Sequence, residues 1–281
     1  MIKVLISNRF FIHGERINNL LVLDISMSKA CLVALNTTKN KKMKDFKDKV
    51  ALITGGSKGI GYGVAEALVK LGMKVAITSR SITAAEKASK DLKKLGGGEV
   101  LALEADVRDF NSQEKAVKKV IDTWGNLDVL VANAGVGHFA PIDKLSIEEW
   151  QQTIDTNLTG VFYSVKSSLE YLKKSEGYII SISSLAGTNF FTGGTAYNAS
   201  KFGVTGFTQA AMLDLREYGI KVSTIMPGSV ATHFNDHEPS EKDSWKIQKE
   251  DIGELVVDLL KMNARTLPSK IEVRPSMPPK S

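Results

Sequence analysis

The sequence predicts an α/β domain: one doubly wound parallel sheet of about seven strands with helices on both faces. Three observations predict it. From Lys49 onward, short apolar runs alternate with stretches of helical period, the pattern of right-handed βαβ units. The first run, Val50 to Ile53, is apolar throughout and leads directly into a glycine cluster, as a strand buried on both faces requires. At 281 residues with 43% hydrophobic side chains, the chain can bury one large core, so residues 43–281 are expected to form a single domain.

The elements follow in order. After the Val50–Ile53 strand and its glycines, helical spacing runs through Val64, Leu68 and Leu71 and closes at Gly72. Lys74–Thr78 reads as the next strand, Ala84–Leu95 as a helix and Val100–Leu103 as a strand. Asn111 is expected to cap a helix ending at Trp124, and Asp128–Ala132 to form the fourth strand. Ser146-Ile-Glu-Glu149 carries a capping-box pattern and opens a long helical region reaching Lys174. Strands at Tyr178–Ser181 and Lys221–Ile225 flank a helix that carries Tyr197. Asp251–Met262 is the last helix, before a strand near Ile271–Val273.

Residues 1–42 lack this periodicity. They hold seven of the 37 Lys and Arg residues against only Glu15 and Asp24, a balance of +5, which leaves +1 of the chain's +6 for everything else. A nucleic-acid surface needs its basic patch on the folded domain, so no nucleic-acid partner is expected. The segment is read as an N-terminal extension, unstructured or upstream of a natural start at Met43. The only cysteine, Cys31, excludes an internal disulfide and fits a reducing, cytoplasmic setting. No apolar run reaches the length of a membrane span, so no membrane partner is expected.

Placed between the first strand and first helix, Gly55, Gly59 and Gly61 let the backbone turn tightly against a pyrophosphate, which the helix N-terminus then faces. This is the dinucleotide-binding arrangement of a Rossmann-like sheet. At the end of the second strand stands Thr78-Ser79-Arg80, with no acid nearby, and Lys58 lies inside the loop. A carboxylate there would bind a ribose hydroxyl, whereas cations accept a 2′-phosphate, so NADP(H) is expected over NAD(H).

Tyr197 and Lys201 are four apart in a helical stretch and so share one face. At about 4 Å and an effective dielectric near 20, their Coulomb term is roughly 4 kcal/mol, enough to lower a phenol's pKa by two or three units. Six Tyr and 37 Lys and Arg make one such pair unremarkable by itself. Its company gives it weight.

Taken together, four motifs resemble the short-chain dehydrogenase/reductase family over essentially all of residues 44–275. They are Thr54-Gly-Gly-Ser-Lys-Gly-Ile-Gly61, Asn133-Ala-Gly135, Ser184 with Tyr197 and Lys201, and Pro227-Gly228. The family's active-site Ser lies thirteen positions before its Tyr, which favours Ser184 over its neighbour Ser183; the family's Asn matches Asn157. The resemblance implies that Tyr197 exchanges a proton with the substrate oxygen and that Ser184 hydrogen-bonds that oxygen. It implies that Lys201 lowers the Tyr pKa and binds the nicotinamide ribose, and that Asn157 holds a water relay. Gly55, Ser57, Lys58, Gly59, Ile60, Gly61 and Arg80 would bind the phosphates. Asp106 and Val107 would flank the adenine, and Asn133, Ala134 and Gly135 its ribose. Pro227, Gly228, Val230 and Thr232 would surround the carboxamide.

The implied activity is NADP(H)-dependent reduction of a ketone or aldehyde, nearest the 3-oxoacyl-thioester and general carbonyl reductases. An alcohol or sugar dehydrogenase is the alternative, and a non-catalytic NADP(H) sensor the reading from another class. A homodimer or homotetramer is implied, joined through residues 158–174 and the Tyr197 helix. Substrate is expected to meet Val136–Pro141, Thr188–Gly194 with Phe190 and Phe191 as an apolar wall, and a polar, mobile lid within Ser229–Ile247. His233 and His237, spaced i, i+4, are assigned to that lid and not to a metal. His138 faces either substrate or solvent. The chain ends Ile271-Glu-Val-Arg-Pro275, where many relatives have a glycine-rich strand.

Overall fold

The structure, a computed structural model, describes residues 11–12, 15–16 and 45–278. The chain divides into two compact units, residues 1–45 and 46–281. In the first, Phe11–Ile12 pairs antiparallel with Glu15–Arg16; the remaining expectations for residues 1–42 lie outside the described residues.

The second unit is a seven-stranded parallel sheet. Its strands are β1 (Val50–Ile53), β2 (Lys74–Ser79), β3 (Val100–Glu104), β4 (Val129–Ala132), β5 (Tyr178–Ile182), β6 (Lys221–Pro227) and β7 (Lys270–Val273), in the spatial order β3-β2-β1-β4-β5-β6-β7. The order reverses between β1 and β4, so a crevice opens beyond their carboxyl ends. Register is fixed by the pleat. Ala51 and Ile53 join the core on one face, while Val50 and Leu52 join the core on the other, so a one-residue slip would move every side chain to the wrong layer.

Helices α1 (Gly59–Lys70), α2 (Ile82–Lys93) and α7 (Lys249–Lys261) cover the first face. Their buried stripes include Val64 and Leu68, Ala88 and Leu92, and Ile252, Val256 and Leu259. Helices α3 (Phe110–Trp124), α5 (Gly160–Ser175) and α6 (Thr195–Asp214) cover the second through Val117 and Val120, Val165 and Leu172, and Met212. These stripes recur every three or four residues, which is why helical period was visible in the sequence.

Two expected details change. The cap of α3 is Asp109, whose carboxylate accepts from Asn111 N, so Asn111 lies inside the helix. The expected long helical region is present without a break from Ile147 to Ser175, but it is not α throughout. Helix α4 (Ile147–Ile154), which does carry the Ser146–Glu149 capping box, gives way to a π turn at Asp155–Thr159 before α5 begins. Single π turns concentrate at functional sites, and this one holds Asn157.

Among the described residues, no helix is long and apolar enough to cross a membrane.

Candidate active site

The glycine loop joins β1 to α1 across the point where strand order reverses. Gly55 and Gly59 have φ of +65° and +58°, a region open to glycine at no cost. A Cβ on Gly61 would lie 2.4 Å from Asn133 Nδ2 and 2.6 Å from Gly55 O. Asn133, just past β4, locks the loop by donating from Nδ2 to Thr54 O at 2.9 Å and Gly55 O at 3.1 Å, while its own N–H donates to Thr54 Oγ1. Helix α1 starts beneath this loop with no side-chain cap and no acid in its first turn. Its first N–H groups and positive dipole end therefore point at the crevice uncompensated.

Four further segments build the reacting end. Asn157 is 1% exposed. Its Oδ1 accepts from Val136 N at 2.8 Å, and its Nδ2 donates to Val136 O at 2.9 Å and Ser200 Oγ at 3.0 Å. The side chain thus braces the Asn133–Val136 turn against α6, one residue from Lys201. Lys201 is buried and donates to Ile182 O at 3.1 Å. The two neighbouring serines separate cleanly. Ser183 Oγ donates to Lys201 O and shares a 3.1 Å contact with Thr205 Oγ1, inside the packing of α6. Ser184 hydrogen-bonds Tyr197 and donates weakly to Pro227 O at 3.4 Å.

The electrostatics differ from the expected pairing. Lys201 Nζ lies 5.6 Å from the centre of the Tyr197 ring. Burial dominates both groups. It pushes the Tyr197 phenol up to about 12, against a lowering by the Ser184 hydrogen bond, and pulls the Lys201 ammonium down to about 8. Desolvation therefore dominates both groups, and proximity to Lys201 does not by itself acidify the phenol.

A cleft of about 1180 Å³ joins these parts, more than the roughly 300–1,000 Å³ of a single small-molecule pocket. It brings together Gly55, Ser57, Lys58, Gly59, Ile60, Arg80, Asp106, Val107, Asn133, Ala134, Gly135, Ser184, Tyr197, Lys201, Pro227, Gly228, Val230 and Thr232. Gly61 and Asn157 sit behind its wall as supports. The Asp106 carboxylate is already gripped by Arg108, with Nη2 at 2.6 Å and Nε at 3.1 Å, which holds it below the usual carboxylate range. Arg108 went unread because nothing in its spacing marked it.

The exposed, polar segment Phe234–Lys242 is tied down at one point. Asp243 is buried and gathers Ser240 N at 3.0 Å, His237 Nε2 at 2.7 Å and Lys246 Nζ at 2.6 Å. These partners hold its carboxyl far below the ordinary range. His138 lines the cleft with Nε2 2.9 Å from Gln152 Oε1. Phe190 and Phe191 both line the cleft, and Phe190, mostly exposed, also stacks on Phe202 of α6 with centroids 5.2 Å apart. Two cleft features were missed in the sequence: Thr156, whose buried hydroxyl has no partner among the described residues, and the tail residues Arg274, Pro275 and Pro278. A polar residue in a run of helix, and a tail beyond the last strand, carry no spacing signal.

A doubly wound sheet with a glycine loop at its reversal point and a Ser, Tyr and Lys group across the crevice defines a dinucleotide-dependent oxidoreductase architecture. The family profile of short chain dehydrogenases matches residues 49–243, and the chain belongs to that family. It is 38% identical over 191 residues to a 3-oxoacyl-[acyl-carrier-protein] reductase of Synechocystis, covering 67% of this chain and 77% of that one. It is 37% identical over 190 residues to a trans-4-hydroxycyclohexanecarboxylate dehydrogenase of Sinomonas cyclohexanicum, covering 66% and 73%. Among solved structures, an alcohol dehydrogenase of Thermococcus sibiricus complexed with 5-hydroxy-NADP superposes with a TM-score of 0.78 at 31% identity, covering 84% of this chain and all of that one.

Proposed function

We propose that this protein is an NADP(H)-dependent carbonyl reductase with Tyr197 as its proton donor. The observation that carries the reading is the convergence of Ser184, Tyr197 and Lys201 on a cleft whose far wall is an uncapped helix N-terminus. The residues fit the cofactor. Gly55 and Gly59 supply left-handed turns, the start of α1 supplies free N–H groups, and Lys58 and Arg80 stand in the same cleft as cations for a 2′-phosphate. When bound, the reduced nicotinamide supplies the hydride that reaches the carbonyl carbon as the C=O π bond opens to an alcohol.

The chain's own residues handle the oxygen. Ser184 donates to it, and Tyr197 Oη gives up its proton to it, forming the O–H bond. Losing that proton leaves a buried phenolate, whose charge Lys201 and Ser184 offset. Asn157 keeps the Val136 turn and α6 in register, and its backbone segment is the proposed holder of a water relay to Lys201. Pro227, Gly228, Val230 and Thr232 close the carboxamide end.

Phe162, Phe202 and Leu213 are exposed on α5 and α6, which supports a homodimer or homotetramer joined through those helices. A cytoplasmic setting completes the reading. The relatives named above act on an acyl-carrier thioester and on a ring alcohol, so likeness alone leaves several carbonyl classes open.

The test is consumption of NADPH and NADH against β-keto thioesters, aldehydes, diketones, ring ketones and sugars. The reading expects a carbonyl substrate to be reduced with NADPH preferred at least tenfold, and Arg80→Ala to remove most of that preference. No turnover of any carbonyl by a protein that binds NADPH would overturn it.

A further inference from the structure

Three loops meet over Tyr197, and each brings one phenylalanine. Phe139 follows β4, Phe191 precedes α6, and Phe234 follows β6. The Phe139 ring stands edge-on to Tyr197 with centroids 5.3 Å apart, and Phe234 lies 5.8 Å from the same ring. Phe139 also contacts Phe191 at 5.7 Å and Phe234 at 6.4 Å. Rings gathered this tightly in a core would be covered. These remain 44%, 46% and 36% exposed for Phe139, Phe191 and Phe234, and all three line the cleft.

Two glycines make the gathering possible. A Cβ on Gly137 would lie 2.6 Å from Phe234 Cε1 and 2.9 Å from Phe139 Cζ. One on Gly194 would lie 2.7 Å from Phe191 Cζ. Each absent side chain is the space a ring uses, so the cluster is built into the backbone.

We propose that Phe139, Phe191 and Phe234 form an aromatic clamp that selects substrates carrying a ring directly at the reacting carbonyl, in preference to linear acyl chains and polyols. This rests on the reading of Tyr197 as proton donor. The parts of these rings left exposed to the cleft give an incoming ring a rigid apolar wall to pack against. A rigid ring meets these walls without giving up the rotamer freedom that a flexible chain loses on being held. A polyol would leave its hydroxyls without partners against ring faces. The reaction itself is unchanged: hydride to the carbonyl carbon, proton from Tyr197 Oη to the oxygen.

The experiment compares cyclohexyl methyl ketone with 2-octanone, two saturated methyl ketones of equal carbon count, under NADPH. The clamp predicts kcat/KM about tenfold higher for the ring ketone, the size expected of the rotamer freedom the flexible chain loses on being held. In Phe139→Leu/Phe234→Leu the ratio falls toward one, chiefly through KM for the ring ketone. Gly137→Ala, which leaves all three phenylalanines in the chain, shifts it the same way by displacing their rings. NADPH affinity, read by fluorescence, stays unchanged in all variants and reports that they fold. Equal or better use of 2-octanone, or a ratio untouched in the variants, overturns the clamp and leaves the reductase intact. No oxidation of NADPH with any ketone, although NADPH binds, overturns the reductase reading and the clamp together.

Discussion

The two ends of the cleft are made of different material. At the dinucleotide end the working groups are backbone: N–H groups at the start of α1, the left-handed Gly55 and Gly59, and a loop pinned by the Asn133 amide. At the substrate end they are side chains on loops: Phe139, Phe191, Phe234, and a lid tied to Asp243. Tyr197, Ser184 and Lys201 stand where the two meet. A backbone site tolerates almost no change because every atom around it is fixed, whereas a side-chain site can be re-lined without disturbing the sheet.

Substitutions can break that contrast or sharpen it. The largest effect is expected at Gly61, where an added methyl meets an amide nitrogen and a carbonyl oxygen at 2.4 and 2.6 Å. Gly61→Ala should weaken NADPH binding by roughly ten- to a hundredfold in a fluorescence titration, since overpacking of about 1–3 kcal/mol falls on the loop itself. An affinity within threefold of the parent would show the loop to be more compliant than its contacts imply.

Asn157→Ala comes next, at the joint between the ends. It leaves both polar groups of Val136 and the Ser200 hydroxyl without their partner. The expected cost is about 3 kcal/mol, or roughly 10 °C in a thermal melt, with kcat falling while KM for NADPH moves little. An unchanged melt would mean the turn does not depend on its brace.

The smallest effect belongs to the lid. Asp243→Ala removes the acceptor shared by Ser240, His237 and Lys246 and should raise KM for the ketone several-fold with kcat held within twofold. Because its partners depress the Asp243 pKa, the parent's lid keeps this support at neutral pH. The support is lost only on acidification below the ordinary carboxylate range, so KM should stay flat from mildly acidic pH upward. A rise in KM between pH 7 and 5 would assign the lid to another group.

This contrast also explains what the sequence revealed. Gly55, Gly59, Gly61, Asn133, Tyr197 and Lys201 were legible because backbone turns and proton transfer demand particular residue types at fixed spacings. Phe139 and Phe234 are 95 positions apart, and any loop can carry a phenylalanine, so their meeting was visible only in three dimensions. Phe190 and Phe191 both line the cleft as expected, but the stacking of Phe190 on Phe202 of α6 was not visible in the sequence. The π turn reads as ordinary helix because its one wider ring changes no residue type. The size of desolvation at Tyr197 was not legible, because spacing gives which charges are near but not how dry they are.

The central claim is that the Tyr197 hydroxyl delivers the proton. It is tested most directly by single-turnover NADPH oxidation in Tyr197→Phe with the best ketone of the panel, beside an NADPH titration of the same variant. The expected result is a rate at least a thousandfold below the parent, with NADPH affinity unchanged. A rate within tenfold of the parent would contradict it and move the proton to another group.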